Sequence, residues 1–439
     1  VIESGAKLTL KNVTLIFNYS WEEQYGIDVN GTLYVYNSTI KSKGEHGFHF
    51  YVNEGGSLKI ENCTIINAHS SLYLLLVFGS IVLRNADATI RNCEFIDSGY
   101  LTLYNSNATV YNSYFHNSSM CVKIVDSNLT FSGCEIYAPL HGGTVPTPLI
   151  IGNGGSIDIS NCKITNNMKL MPGSTIYMSD MQAKIRNCII KQYAQSLYSI
   201  SPAIFVTVGD YQIINVSIYY NDSTPDIEGN YAYGIYGKEA IVDVKDCVIE
   251  GCDYGIKCEN TQCIVEGSLI KNNERGIEGE DSQMIINCTV FKYNTWGVIS
   301  SSSTITIQYS EITENTEGIW IKGEEGGGEI HYCNIYNNTG SVQSRIGLRN
   351  SLNATIDARY NYWGSPDGPS VAAATGRCAV PAAIVPWPFT GRSGPCAVTC
   401  AGSASPRAAP AGAWCCGCGD GARSAWSWPF DAAGRTCAC

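Results

Sequence analysis

Acidic, aromatic and sulfur-bearing residues recur in this chain at intervals that could stack them. Asp253 and Glu274 lie 21 residues apart, as do Glu259 and Glu280, and Asn260 and Asp281. Carboxylates stacked at strand spacing repel one another unless they are protonated, solvated or bridged by a cation. Several oxygens around one turn suit calcium, so Glu259, Glu280 and Asp281 are the candidate metal ligands; no other cofactor is indicated. Hydrolysis of a glycosidic bond would need two carboxyls across a sugar cleft. Elimination from a uronate would need a base and a neutralising cation. No column pairs stacked acids with a nearby Arg or Lys, so no catalytic residue is assigned. His46, His49, His69, His116, His141 and His331 are scattered.

Aromatic residues carry the stronger binding signal. Tyr233, Tyr254 and Trp296 share one position of the 21-residue period, and Tyr236 and Trp320 share another. If these columns face outward, their rings offer flat apolar faces with polar edges on which sugars stack. The competing reading is aromatic packing against neighbouring coils. Met168, Met171, Met178 and Met181 gather around one loop; thioethers suit copper, and core packing explains them equally. Twelve cysteines lie before residue 370. Most occupy a strand position that elsewhere holds Ser or Val, which selects small volume and points to buried reduced thiols. Cys247, Cys252, Cys258 and Cys263 are the best disulfide candidates, and their spacing fits no zinc knuckle.

The elements that must position these residues announce themselves by period. Gly234-Ile235, Gly255-Ile256, Gly276-Ile277, Gly297-Val298 and Gly318-Ile319 recur every 21 residues, and a fixed period in this range marks a solenoid. A second phrase recurs in Ser57–Ile65, Ala88–Phe95, Ser156–Ile164, Ala183–Ile190 and Val242–Ile249: alternating apolar residues, then Asn or Asp, Cys, any residue and an apolar one. Period-two alternation marks short strands, and Gly and Asn mark the turns between them. Three strands per coil and about fourteen coils give an all-β, right-handed parallel β-helix. Asn273, Asn294 and Asn315 form a column whose amides can donate and accept along the stack. The glycines are expected to take positive φ at a turn.

Bulk properties narrow the classes. Charged residues make up 15% of the chain and the net charge is −11, against a usual charged share of ~25%. The acidic balance speaks against a nucleic-acid partner, which would select a basic stripe. No apolar run approaches the ~20 residues that span a bilayer. Thirteen Asn-x-Ser/Thr triplets are possible glycosylation acceptors, which would fit a glycoprotein outside the cell. Composition changes near Ser370: residues 370–439 hold no Asn, Lys, Tyr, Glu, Leu, His, Gln or Met. The reading is a β-helix over 1–369 and a low-complexity Ala/Gly/Pro/Cys tail over 370–439, out of frame or disordered, with a small Cys-rich module as the remaining alternative.

The run Asn361-Tyr-Trp-Gly-Ser-Pro-Asp-Gly-Pro369 resembles the closing motif of prokaryotic and archaeal right-handed β-helix surface proteins. The coils are similar to those of the pectate-lyase-like superfamily, and the opening Val1–Leu15 resembles a first full coil. The pectinase signatures Asn-Thr-Asp, Asp-Asp and Arg-Ile-Lys are missing, so the resemblance transfers no catalytic residue. Copper-delivery proteins share the coil type, but no His/Met ligand set supports that role. What the resemblance implies is a secreted or cell-surface scaffold that binds a polysaccharide or surface glycan without catalysis. The alternative is a polysaccharide lyase or glycoside hydrolase acting on an extracellular glycan.

Overall fold

Alternation of apolar and polar residues produces the strands. In Ser57–Glu61 the inward Leu58 and Ile60 are buried while Lys59 points out. The computed structural model describes residues 1–18, 26–43, 47–68, 80–99, 101–117, 121–138, 148–167, 174–193, 201–220, 231–339, 346–365, 374–375 and 378–379. These lie in one compact unit, Val1–Ala397; a second, Val398–Cys439, is outside the described residues. Also outside them are most of the 370–439 tail, His46, His69, His141, Met168 and Met171.

Each coil contributes three strands, for example Tyr254–Glu259, Gln262–Glu266 and Leu269–Lys271. The next coil lays Arg275–Glu280, Gln283–Asn287 and Val290–Lys292 on them, parallel and in register. The first two strands of every coil join a 27-stranded sheet and the third a 14-stranded sheet. In four coils the first two strands run on without a break, as in Val122–Ser132 and Ser201–Ile214. No helix occurs among the described residues, and none there is long and apolar enough to cross a membrane. The protein is a right-handed parallel β-helix.

The corner between second and third strands is made by one left-handed residue. Asn62, Asn92, Asn187 and Asn215 have φ between 50° and 54°, a region Asn tolerates better than other non-Gly residues. Their exposed amides form a ladder: Asn92 Nδ2 donates to Asn62 Oδ1 at 3.0 Å, and Asn215 Nδ2 to Asn187 Oδ1 at 2.9 Å. The small residue that follows points inward. Cys93, Cys162 and Cys247 each donate to the carbonyl two residues back, at 3.0–3.1 Å, and Ser268 does the same at 3.0 Å. Thiol and hydroxyl therefore exchange at this site because both are small and can donate, and the buried Val216 after Asn215 shows that small volume is the common requirement. Among the described residues eleven cysteines are free and buried, including Cys247, Cys252, Cys258 and Cys263, while Cys288 is disulfide-bonded.

The glycine column departs from expectation. Gly234, Gly255, Gly276, Gly297 and Gly318 are absent from the positive-φ residues. Their reason is proximity. A Cβ on Gly255 would lie 2.5 Å from the Gly276 carbonyl oxygen, and one on Gly297 2.6 Å from that of Gly318. Rung spacing of ~4.8 Å leaves no room for a side chain there. Beside this column runs the buried amide ladder. Asn273 Nδ2 donates to Asn294 Oδ1 at 3.2 Å, Asn294 to Asn315 at 3.0 Å, and Asn315 to Asn338 at 3.1 Å.

Asn361 ties the segment after the last three-stranded coil back onto that coil. Its Oδ1 accepts the Cys333 N–H at 2.8 Å and its Nδ2 donates to the Ile330 carbonyl at 2.6 Å. Trp363 packs into the core. Past residue 369, Ala374–Thr375 pairs with Ile346–Asn350, and Cys378–Ala379 with Ile356–Asp357.

Candidate functional site

Register brings the aromatic columns together as the period requires. Tyr233 pairs with Tyr254, Tyr254 with Arg275, and Arg275 with Trp296. Three residues further along the same strands, Tyr236, Lys257, Glu278, Ile299 and Trp320 follow one another. All lie on the first strand of their coils, over Ala232–Lys238 to Glu317–Lys322.

The rings do not all face solvent. Tyr233 and Tyr254 are only 7% exposed, and their rings stack at 4.7 Å. Tyr236 stacks on Phe205 at 4.7 Å and on Tyr233 at 5.2 Å. Rung spacing of ~4.8 Å is close to ring-stacking distance, so aromatic residues in adjacent coils cover each other's faces. Burial pushes the Tyr254 phenol up to about 12, which keeps it protonated. Tyr233 and Tyr254 thus support a ladder and offer edges, a correction to the expected open platform. Trp296 and Trp320 are half-buried. The Arg275 guanidinium lies 5.6 Å from the Trp296 ring; Lys322 lies 4.7 Å and Arg349 5.4 Å from Trp320. Trp320 Nε1 donates to Ser351 Oγ at 3.2 Å.

Between these aromatics sits an ionic cluster that reading the sequence missed. Lys257 is 6% exposed and Glu278 5%, though both are on the outer face of the sheet. Lys257 Nζ lies 2.9 Å from Glu280, 3.7 Å from Glu278 and 4.0 Å from Glu259. Arg275 donates to Glu278 at 2.6 Å and also to the Tyr254 hydroxyl. Lys322 approaches Glu278 to 3.7 Å, and Arg349 pairs with Glu317 at 3.1 Å. Tyr236 donates to Glu259 at 2.7 Å. Stacked acids do therefore stand beside basic residues. The signal was available: Lys257 and Glu278 fall one period apart, in the Tyr236–Trp320 column.

The candidate calcium ligands divide. The Lys257 ammonium bonds Glu280 and holds its carboxyl below the usual range. Tyr236 caps Glu259, and Asp281 sits at a left-handed turn with φ 48°. Among the described residues no three His, Cys, Asp or Glu side chains are grouped so as to hold a metal ion. Met178 and Met181 are enclosed in the core.

His49, one of the histidines scattered through the sequence, lies on strand His49–Val52 and is 8% exposed. Its ring is 3.9 Å from that of Tyr51. The imidazole fills the space above Gly26, where any Cβ would collide with it. Burial, opposed by Asp28, lowers its pKa.

Residues 51–201 match the family model described as right handed beta helix region, and residues 160–368 match periplasmic copper-binding protein (NosD). Of the four methionines that could suit copper, Met178 and Met181 are core side chains and Met168 and Met171 lie outside the described residues. No curated protein matches the chain in sequence. Among solved structures the chain is similar to tailspike protein 3 of bacteriophage CBA120, at 9% identity and a TM-score of 0.28, over 84% of this chain and 56% of that one. It thus spans little more than half the tailspike's length. A PL6 alginate lyase bound to a trisaccharide shares 8% identity, TM-score 0.30, over 73% of this chain and 80% of the lyase. The periplasmic alginate epimerase AlgG shares 10%, TM-score 0.29, over 86% and 84%.

Proposed function

We infer that this β-helix is a glycan-binding scaffold of the cell surface or extracellular space, acting without turnover through the outer face of its first strands. One observation carries the reading: Trp296 and Trp320 stay half-buried rather than enclosed, on a face that also presents the partly exposed Arg275, Lys322 and Arg349. Aromatic surface flanked by fixed polar groups is what a sugar ring needs, a flat apolar contact with oriented donors and acceptors beside it.

The charge pattern refines the ligand. Lys257, Arg275, Lys322 and Arg349 each already have a carboxylate partner. A polyanionic glycan would have to displace those carboxylates and would meet a chain of net charge −11. A neutral glycan faces neither cost. The same pairing leaves no uncommitted base next to an uncommitted acid, which favours binding over elimination.

Affinity electrophoresis through gels holding neutral or uronate polysaccharides tests this. Retardation by a neutral polymer, weakened at least fivefold in Trp296→Ala and Trp320→Ala, is expected. Equal mobility of wild type and both variants would reject the face as the binding surface. Release of reducing ends or unsaturated sugars from any of the polymers would reject the non-catalytic reading.

A further inference from the structure

A second surface remains, on the second strands of five earlier coils. An open groove of about 500 Å³ runs over them. Its walls are two columns of outward residues in continuous register. Asn107, Asn128, Ser156 and Gln182 form one column, and Thr109, Thr130, Asp158 and Lys184 the other; Asp210 and Gln212 close the end. The floor is the sheet itself, with Leu129 and Ile157 turned into the core. The side chains of the first three rungs are short, whereas Tyr34 and Lys59 occupy the Thr130 column nearer the N-terminus. That change in side-chain length makes the groove.

We propose that this groove binds an extended, neutral polysaccharide lying parallel to the long axis of the coil stack. The glycan class rests on the function proposed above, but the surface is separate from the aromatic face. Three features point to the ligand. First, the polar groups repeat once per rung, every ~4.8 Å, which is close to the length of a pyranose ring in an extended chain. Five rungs span ~19 Å. Second, the amides are pre-oriented and only half used. Asn107 Nδ2 donates to Asp87 at 3.1 Å, Asn128 Nδ2 to Asn107 at 3.0 Å, and Ser156 Oγ to Asn128 at 2.7 Å. A primary amide has two N–H donors, so each Asn keeps one for a ligand hydroxyl, in a position fixed by the ladder. Third, charge is balanced. Asp158 is paired with Arg186 at 2.7 Å, and Lys184 and Asp210 put one charge of each sign on adjacent rungs, two residues out of register. Nothing there selects a polyanion. A peptide would fit poorly, because these strands are hydrogen-bonded on both sides and present no free edge for an added strand.

Asn107-Ala-Thr109 and Asn128-Leu-Thr130 are glycosylation triplets at the groove, so the test uses protein made without N-linked glycans. The variant is Thr130→Tyr, which fills the groove with a residue well suited to a strand. Its control is Thr306→Tyr, the same change in the same column several coils beyond the groove. Gel retardation by a neutral, unbranched glucan is the readout. A tenfold or greater loss of affinity in Thr130→Tyr with wild-type behaviour in Thr306→Tyr is expected. Unchanged affinity in Thr130→Tyr overturns the groove, and does so even if Trp320→Ala loses binding, in which case the aromatic face stands alone. Conversely, loss in Thr130→Tyr with no effect of either tryptophan change keeps the groove and removes the aromatic face. Equal loss in both tyrosine variants would mean a general change in the sheet and would also overturn the proposal.

Discussion

Replacing Lys257 by Met tests the ionic cluster most directly. Met matches the length of the aliphatic stem, so the main change is loss of the ammonium. Glu278 is 5% exposed and depends on three cations: Arg275 at 2.6 Å, Lys257 at 3.7 Å and Lys322 at 3.7 Å. Stripping a buried carboxylate of its whole partner set costs ~3–5 kcal/mol. Two of the three partners survive here, so about 2 kcal/mol is the expected loss. Glu280 loses its hydrogen-bonded partner too, but its side chain is 51% exposed, and that part is worth at most ~1 kcal/mol. The variant leaves Glu259, Glu278 and Glu280 facing a vacant cation position, so calcium should now stabilise the protein where it barely affects wild type. Urea unfolding followed by tryptophan fluorescence, in chelator and then in millimolar calcium, measures both effects. A loss under ~0.5 kcal/mol together with no gain from calcium would show that the cluster is solvated and that its burial has no energetic weight.

Two further outcomes follow from the same geometry. Gly255→Ala should destabilise by ~1–3 kcal/mol, because the new methyl meets the Gly276 carbonyl oxygen; a neutral result in thermal unfolding would mean the rungs can part without cost. His49 is held neutral by burial, so the folded chain binds its proton less readily than the unfolded chain does. Its contribution is complete above the unfolded pKa of 6.5 and is lost as pH falls below that value, with a slope of at most ~1.4 kcal/mol per pH unit. His49→Gln should flatten the stability curve between pH 6.5 and 5; an unchanged slope would show that other groups set it.

How much of this could be read from the residues depended on whether the period was unbroken. Between Tyr233 and Trp320 each coil has 21 residues, and the pairs inferred there of Tyr233 with Tyr254 and Glu259 with Glu280 are pairs in the sheet, whereas Asp253, Glu274, Asn260 and Asp281 fall just beyond the strand ends. Upstream the interval varies: Asn107 to Asn128 is 21 residues but Asn128 to Ser156 is 28. Loops between coils hide the register there, so the groove had no signature in the linear chain, and neither did the stacking of Phe205 on Tyr236. Burial was the second thing concealed. Alternation places Lys257 and Glu278 on the outer face correctly, yet whether an outward residue is wet depends on the size of its neighbours in adjacent coils. The glycines were misread for a related reason. A recurring Gly signals either a left-handed backbone or a close approach, and only the distance to the next rung distinguishes them.

The two amide ladders run in opposite senses. The buried one hands its hydrogen bonds toward the C-terminus, from Asn273 through Asn294 and Asn315 to Asn338. The corner ladder hands them back, from Asn92 to Asn62 and from Asn62 to Asn37. An amide in the interior file cannot rotate by itself, since turning one would set donor against donor on one side and acceptor against acceptor on the other. Orientation is thereby a property of the whole file rather than of any member. The two files occupy different coils, the corner one ending at Asn215 and the interior one beginning at Asn273, so each fixes the sense of its own stretch of the stack.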